Sequence, residues 1–421
     1  MYITSLEIKN IRAIENFKMD FPNPAGWHVL LGNNGAGKSS ILKTISAALI
    51  GPKEIEGIRP NWNNWLRLNT QEGSIKMGII KHKGIDKQGG ISGVGSNFDF
   101  QMVWKRSKNN GIELKVEGTT SAARNSIWGG KAGWFSAGFG AFRRFSGGSD
   151  EMKNLYSNPS YTRLAAHLTV FSEDVDLRES IKWLQNLQFK SLEKSENDSH
   201  LLNNLISFIN GGGLLPPNVK LSRINSEDVF LLDSDGQEIS INQMSDGYRS
   251  ALSLVFEMIR LMVLTYDEKP FKNHLNYVDI TGVVLIDEID AHLHPTWQTE
   301  IGKWFTKCFP NIQFIVTTHS PLVCRACDKG SIWRLATLGT DQSSGEITGT
   351  ERDRLIYGNI LEAYGTELFG QSPVRSEQSN EKLERLGELN MLSAFGKISE
   401  AGEKERTELQ KILSTDAPTG F

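Results

Sequence analysis

Apolar residues in this chain gather in three uninterrupted runs: Val29-Leu30-Leu31, Val283-Val284-Leu285-Ile286 and Phe314-Ile315-Val316. Each ends abruptly in glycine or polar residues. Apolar runs without alternation predict strands buried on both faces, the kind found in a parallel sheet flanked by helices. Elsewhere the pattern alternates. Leu6 and Ile8 are separated by Glu7, and Phe17, Met19 and Phe21 by Lys18 and Asp20, which predicts two strands of a half-buried sheet. Strand-like pieces at Ser74–Ile80 and Phe98–Trp104 lie in a stretch, 51–150, rich in glycine, asparagine and tryptophan, and predict a small β-rich subdomain. Val229-Phe230-Leu231-Leu232 runs into Asp233-Ser234-Asp235-Gly236, a hairpin turn.

Helical spacing takes over in other segments. Ile41, Leu42, Ile45 and Leu49 mark one helix, and Leu252, Val255, Phe256, Ile259 and Met262 the face of a longer one. Leu164, Leu168, Leu177, Trp183, Leu184 and Leu187, set among charges, predict a helical insert. Residues 196–199 and Gly211-Gly212-Gly213 read as loops. Leu383, Leu386, Leu389 and Leu392 recur every three residues in a charged background, which fits a helix packed on its own body or one that docks a partner. The expected organisation is an α/β N-terminal lobe over 1–150, a helical insert over 151–215, a C-terminal α/β lobe over 216–345 and a helical segment over 346–421.

Composition removes several function classes. With 39% hydrophobic and 23% charged residues the chain is not disordered as a whole, and a net charge of −3 argues against a generally basic nucleic-acid binder. No stretch approaches the roughly 18 apolar residues of a membrane span, and Met1–Lys9 reads as a strand and not as a secretory leader. Three cysteines give no disulfide framework; Cys324 and Cys327 form a C-x-x-C that lacks the second pair a zinc site needs, and read as packed small residues. The expected compartment is the cytoplasm, with no membrane contact.

The residues that follow the apolar runs carry the chemistry. Gly32-Asn33-Asn34-Gly35-Ala36-Gly37-Lys38-Ser39 fits G-x-x-x-x-G-K-[ST] and sits between a strand and a helix, where it forms a phosphate loop. Backbone N–H groups from Gly32 to Ser40 would face the phosphates, Lys38 would reach the β/γ-phosphates, and the Ser39 hydroxyl would hold Mg²⁺. Asp287 and Glu288 end the second run. At the rim of a parallel sheet Asp287 can orient Mg²⁺ and Glu288 can take a proton from the attacking water. The third run leads to Thr317-Thr318-His319, and a histidine there can hydrogen-bond a γ-phosphate. Ser245-Asp246-Gly247 opens the long helix; it is either a plain cap or a second anion site that binds the γ-phosphate on a neighbouring copy.

This ordered set, over about 1–50 and 220–330, resembles the ABC-type ATPase head of the branch containing SMC proteins, RecF and OLD-family ATPases. The resemblance implies a P-loop core sheet with an antiparallel β subdomain. In it Gly32–Ser39 is Walker A, Ser245-Asp246-Gly247 the signature, Asp287 and Glu288 Walker B and the catalytic base, Asp290 the D-loop and His319 the switch histidine. Arg12, in Asn10-Ile11-Arg12-Ala13-Ile14, occupies the place of a nucleotide-contacting arginine. The Q-loop glutamine is left open between Gln71 and Gln101. The resemblance further implies that two copies sandwich ATP and Mg²⁺, each finishing the other's site.

The segment Gly133–Phe145, with Val170-Phe171-Ser172-Glu173-Asp174 and Trp183-Leu184-Gln185-Asn186-Leu187, is similar to prokaryotic ATPases of antiviral defence islands, and most to the ATPase subunits of Septu systems. So are Ile360-Leu361-Glu362 and Glu367-Leu368-Phe369-Gly370. That resemblance implies an ATPase that dimerises, assembles further, and regulates a separate HNH-type nuclease acting on DNA. No D-x-D cluster or His/Asn constellation of a nuclease follows His319. The alternative is a RecF/SMC-like repair ATPase that binds DNA directly. A transporter ATPase is disfavoured by the aberrant signature. Arg143 and Arg144 either contact nucleotide or nucleic acid or, by default, are surface arginines on a loop.

Overall fold

The computed structural model describes residues 1–58, 61–81, 97–107, 111–118, 120–128, 134–143, 148–193, 195–215, 218–266, 271, 277–336, 343–358 and 377–413. Fourteen strands among them are β1 (Tyr2–Ile11), β2 (Ile14–Asp20), β3 (Gly26–Leu31), β4 (Glu72–Ile80), β5 (Asn97–Arg106), β6 (Ile112–Gly118), β7 (Phe135–Phe139), β8 (Lys220–Ile224), β9 (Val229–Leu232), β10 (Glu238–Ser240), β11 (Gly282–Ile286), β12 (Ile312–Thr318), β13 (Gly330–Arg334) and β14 (Gly345–Ile347). They form a six-stranded sheet in the order β14-β13-β3-β12-β11-β7, a five-stranded sheet β2-β1-β4-β5-β6 and a small sheet β10-β9-β8.

The three apolar runs are the adjacent central strands β3, β12 and β11 of the first sheet, paired in parallel, and every residue of each strand is buried. Parallel strands covered on both faces need no polar side, which is why the runs do not alternate. The alternating segments build the antiparallel sheet: Leu6 faces Met19 and Ile8 faces Phe17 across β1 and β2. One buried cluster joins Ile3, Leu6, Ile8, Met77 and Phe100 of that sheet to Ile41, Leu42, Ile45 and Leu49 of the helix Lys38–Ile50 and to Val283, Leu285 and Ile315 of the core strands. On the other side of β3, Trp27 stacks on Phe305 of the helix Pro295–Cys308, with ring centroids 5.9 Å apart. Each fully buried side chain of this size contributes about 1.5–3 kcal/mol, so the sheet edge at which the apolar runs end rests on a layer held from both sides.

Two buried histidines in this layer have a measurable consequence. His28 Nε2 lies 2.9 Å from the Pro24 carbonyl and Nδ1 2.8 Å from Ser331 Oγ. His167 lies between Ser136 and Ser46. Burial pulls His28 down to about 4 and His167 to about 3. Both are neutral when folded, so the unfolded chain takes up more protons once pH falls below about 6.5. Stability is complete above that pH and is expected to drop down to about pH 4, by up to about 1.4 kcal/mol per pH unit for each histidine. Urea midpoints at pH 7, 6 and 5 would show it; equal midpoints would contradict neutral burial.

The hairpin at Asp233–Gly236 forms, with Leu232 opposite Glu238 and Asp233 Oδ1 accepting the N–H groups of Asp235 and Gln237. Residues 196–199, expected as a loop, are instead the first turn of the helix Glu196–Gly211. Glu196 and Asp198 lie where a helix N-terminus favours negative charge, and the Ser199 hydroxyl donates to the Ser195 carbonyl. The same polar residues that signal a loop also open helices.

The chain divides into two compact units, Met1–Tyr364 and Gly365–Phe421. In the second, the helices Glu377–Ala394 and Glu400–Ile412 form a hairpin in which Arg385 grips Glu405 through two bonds of 3.0 and 3.1 Å. Of the four leucines spaced by three, Leu389 packs on Gly402 of the second helix while Leu383 and Leu392 are exposed. A spacing of three drifts around a helix of 3.6 residues per turn, so it cannot keep all four on one face. The segments 360–362 and 367–370 and Arg144 lie outside the described residues. No helix among the described residues is long and apolar enough to cross a membrane.

Candidate functional site

The loop after β3 turns tightly into the helix Lys38–Ile50 because Gly37 takes φ 97°, a left-handed conformation that side chains disfavour. A Cβ on Gly37 would also lie 3.3 Å from Ile14. The Asn10–Ile14 turn is thereby placed beside the phosphate loop. Arg12 in that turn has φ 51°, and its guanidinium lies 5.5 Å from the ring centre of Trp65. Burial and then the charge of Arg12 lower the ammonium of Lys43, so Arg12 stands next to the loop's helix.

Lys38 is buried. Its amine donates to the carbonyls of Gly32 (2.7 Å) and Asn33 (3.1 Å) and lies 2.9 Å from His319 Nε2. Burial pulls it down to about 8, opposed by the carboxylates of Glu288, Asp287 and Asp290. His319 is lowered too, first by burial and then by Lys38. The structure therefore brings together Lys38, Asp287, Glu288, Asp290 and His319, residues from three separate stretches, at the C-terminal edge of one parallel sheet.

Asp287 and Glu288 leave β11 under close control. Thr317 donates its hydroxyl to Asp287 Oδ1 at 2.5 Å and accepts the Glu288 N–H at 2.8 Å. Glu288 has φ 46°. Left-handed backbone in a non-glycine residue costs of order 1 kcal/mol and persists where neighbours enforce it. Asp290 Oδ2 lies 3.4 Å from the His319 amide, and its Oδ1 is buried without a hydrogen-bond partner among the described residues. An unanswered buried acceptor beside a phosphate loop calls for a donor or cation. The hard oxygens of Ser39 and Asp287 match the donors Mg²⁺ prefers. The residues present thus fit a Mg²⁺-nucleotide.

Ser245 is exposed at the start of the helix Asp246–Tyr266, where its carbonyl accepts the Arg249 N–H and Asp246 pairs with Arg249. A Cβ on Gly247 would lie 2.7 Å from the His292 carbonyl, so only glycine fits where the helix Asp246–Tyr266 meets the turn after Asp290. Tyr248 receives the Trp297 Nε1–H at 3.0 Å and fixes the same contact. Among the described residues Ser245 makes no hydrogen bond to its own phosphate loop. Gln71 and Gln101 both belong to the antiparallel sheet region: the Gln71 carbonyl accepts the Arg106 N–H, and Gln101 sits mid-strand opposite Lys76 and Glu117. Neither stands at the edge of the core sheet. Cys324 and Cys327 are buried, with thiols pushed well up by burial.

Sequence reasoning missed Thr317 and misread Arg143. Arg143 is not a surface arginine: it is buried, donating to the carbonyls of Gly140, Asp287 and Glu288 and to Ser250 Oγ. The paired threonines at the end of an otherwise apolar strand were the one local cue to Thr317; the segment Gly133–Phe145 drew notice to Arg143 but not to its burial.

Fold and site together define an ABC-type ATPase head, a phosphate-loop sheet joined to an antiparallel sheet. The chain belongs to the family described as "AAA domain, putative AbiEii toxin, Type IV TA system", which matches residues 28–325. It resembles the "Septu protein PtuA" of Bacillus mycoides (strain KBAB4), at 30% identity over 94% of this chain and 51% of that protein. It is also similar to the "Retron Ec83 probable ATPase" of Escherichia coli, at 28% identity over 79% of this chain and 71% of the other. The chain spans about half the length of the Bacillus mycoides protein. An SMC head, solved bound to the C-winged helix domain of ScpA, aligns over 84% of this chain and 99% of its own, with 15% identity and a TM-score of 0.48.

Proposed function

We propose that this chain binds and hydrolyses Mg²⁺-ATP as a face-to-face dimer, and that it serves as the ATPase subunit of a prokaryotic antiphage defence complex, regulating a separate HNH-type nuclease that cleaves DNA. The observation that carries the ATPase reading is the convergence of Lys38, Asp287, Glu288, Asp290 and His319 on one sheet edge. The defence role and the nuclease partner rest on the resemblance to PtuA.

In this reading the backbone N–H groups of Gly32–Ser40 cradle the phosphates, and Lys38 moves from the loop carbonyls to the β/γ-phosphates. Arg12 lies beside the bound nucleotide. Ser39 and Asp287 hold Mg²⁺, whose contribution when bound is to neutralise phosphate charge. Glu288 takes a proton from water as the water oxygen bonds to the γ-phosphorus and the bond to ADP breaks, leaving ADP and phosphate. His319, released by Lys38, hydrogen-bonds the γ-phosphate. The exposed Ser245-Asp246-Gly247 end of the second copy's helix closes the pocket, with Asp290 at the seam.

Ser245→Arg tests the shared site. It sets a long cation where a second copy's phosphate belongs, on an exposed residue whose loss leaves the fold intact. Each chain is expected to bind ATP within about threefold of wild type, while ATP-dependent dimerisation disappears and turnover falls at least about thirtyfold. Light scattering with ATP and a phosphate-release assay read both. Full turnover would place the signature outside the site. Duplex DNA binding by the chain alone with a steep salt dependence would favour the repair ATPase instead.

A further inference from the structure

The proposed chemistry leaves Arg143 without a part. It follows the end of β7, where the ladder with β11 closes with the Asp287 N–H donating to the Phe139 carbonyl at 2.8 Å. Beyond that bond the carbonyls of Gly140, Asp287 and Glu288 converge, and the Arg143 guanidinium answers them at 2.9, 2.7 and 3.0 Å. Its Nε donates to Ser250 Oγ at 3.2 Å, on the fifth residue of the helix Asp246–Tyr266 that the signature opens. Among the described residues Arg143 makes no ion pair. Burial disfavours this cation, and the nearby carboxylates of Asp287, Asp290 and Glu288 favour it, yet its hydrogen bonds all go to neutral acceptors. What those bonds achieve is geometric. Glu288 stands in a left-handed conformation with its N–H fixed by Thr317 and its carbonyl fixed by Arg143, so the direction of its side chain is set from both ends.

We propose that Arg143 is a positioning residue for Glu288, and that through Ser250 it links Glu288 to the signature helix of the same chain. This rests on the hydrolysis reading above. Its regulatory consequence follows from the sandwich. The signature of one chain closes the nucleotide on its partner, while Glu288 of that chain acts on its own nucleotide. Closure at one pocket therefore moves the helix that carries Ser250, and Arg143 passes the movement to the base of the other pocket. A displacement of about 1 Å at a reacting group is enough to change a rate a hundredfold.

The test uses the full chain with Arg143→Lys, Ser250→Ala and the double variant, reading ATP affinity, kcat and melting temperature. Lysine keeps the charge but lacks the rigid planar fork with which the guanidinium reaches Ser250 and three carbonyls at once. R143K is expected to bind ATP within about threefold of wild type while kcat falls at least thirtyfold. S250A is expected to lower kcat about fivefold at unchanged affinity, and the double variant is expected to match R143K alone, because both act through one link. A kcat within twofold of wild type in R143K, or losses that multiply in the double variant, would overturn the proposal. If R143K does not fold, S250A decides: a lower kcat at constant affinity supports the link and a wild-type kcat refutes it. Glu288→Gln run alongside separates the failures. A dead E288Q beside a fully active R143K sinks only this inference; an E288Q at wild-type rate sinks the hydrolysis reading with it.

Discussion

Lys38→Ala is expected to weaken ATP binding at least about a hundredfold while the chain stays folded. The amine is buried between the Gly32 and Asn33 carbonyls and His319, so it is already gathered at the point where phosphate oxygens would arrive. A charge-assisted hydrogen bond is worth about 1.5–3 kcal/mol, and 1.4 kcal/mol is a factor of ten in affinity. Loss of even one strong bond to each of two phosphates therefore exceeds a hundredfold. The carbonyls it abandons lie on a partly exposed loop that water can reach, so the fold should lose little. Calorimetry with a non-hydrolysable ATP analogue measures the loss. Unchanged affinity would remove the phosphate loop from the site.

Glu288→Gln is expected to leave ATP bound and cut turnover by about 10²–10⁴, the usual span of a general base. Glutamine keeps the size of the side chain, and the Thr317 and Arg143 bonds to residue 288 are made by its backbone, so the turn should hold its shape. With hydrolysis blocked, the bridging ligand persists and the dimer should accumulate, because a ligand gripped by two faces favours the closed state. Single-turnover hydrolysis and light scattering in ATP read the two effects together. Turnover at the wild-type rate would assign proton transfer to another group.

The two predictions concern residues that were plain in the sequence, and the reason is local. Phosphate loop, acidic strand end and strand-end histidine each follow an apolar run within a few positions, so hydrophobic pattern and chemistry sit side by side in the chain. β7 was not legible as a core strand. Phe135-Ser136-Ala137-Gly138-Phe139 has the small and polar residues of a loop, yet Gly138 is required because a Cβ there would lie 2.6 Å from His167 Nδ1. That demand comes from another segment. The burial of Arg143 was hidden for the same reason: it is set by carbonyls 144 and 145 residues away, while its own segment, Gly133–Phe145, offered a family likeness and charge but no sign of burial. The leucines spaced by three do lie in a helix, as read, but the spacing drifts around it, so Leu389 is buried while Leu383 and Leu392 are exposed.

The order of strands in the core sheet also governs how the protein comes into being. β3 pairs with β12 and β13, and His28 meets Ser331, a separation of 303 residues. During synthesis at 5–20 residues per second, β3 waits roughly 15–60 s for its neighbours to leave the ribosome. Pairing across such spans is slow, and an unpaired apolar strand invites aggregation meanwhile. Nucleotide cannot rescue the nascent chain, because the loop that would grip it has no sheet to stand on until the last of those strands emerges.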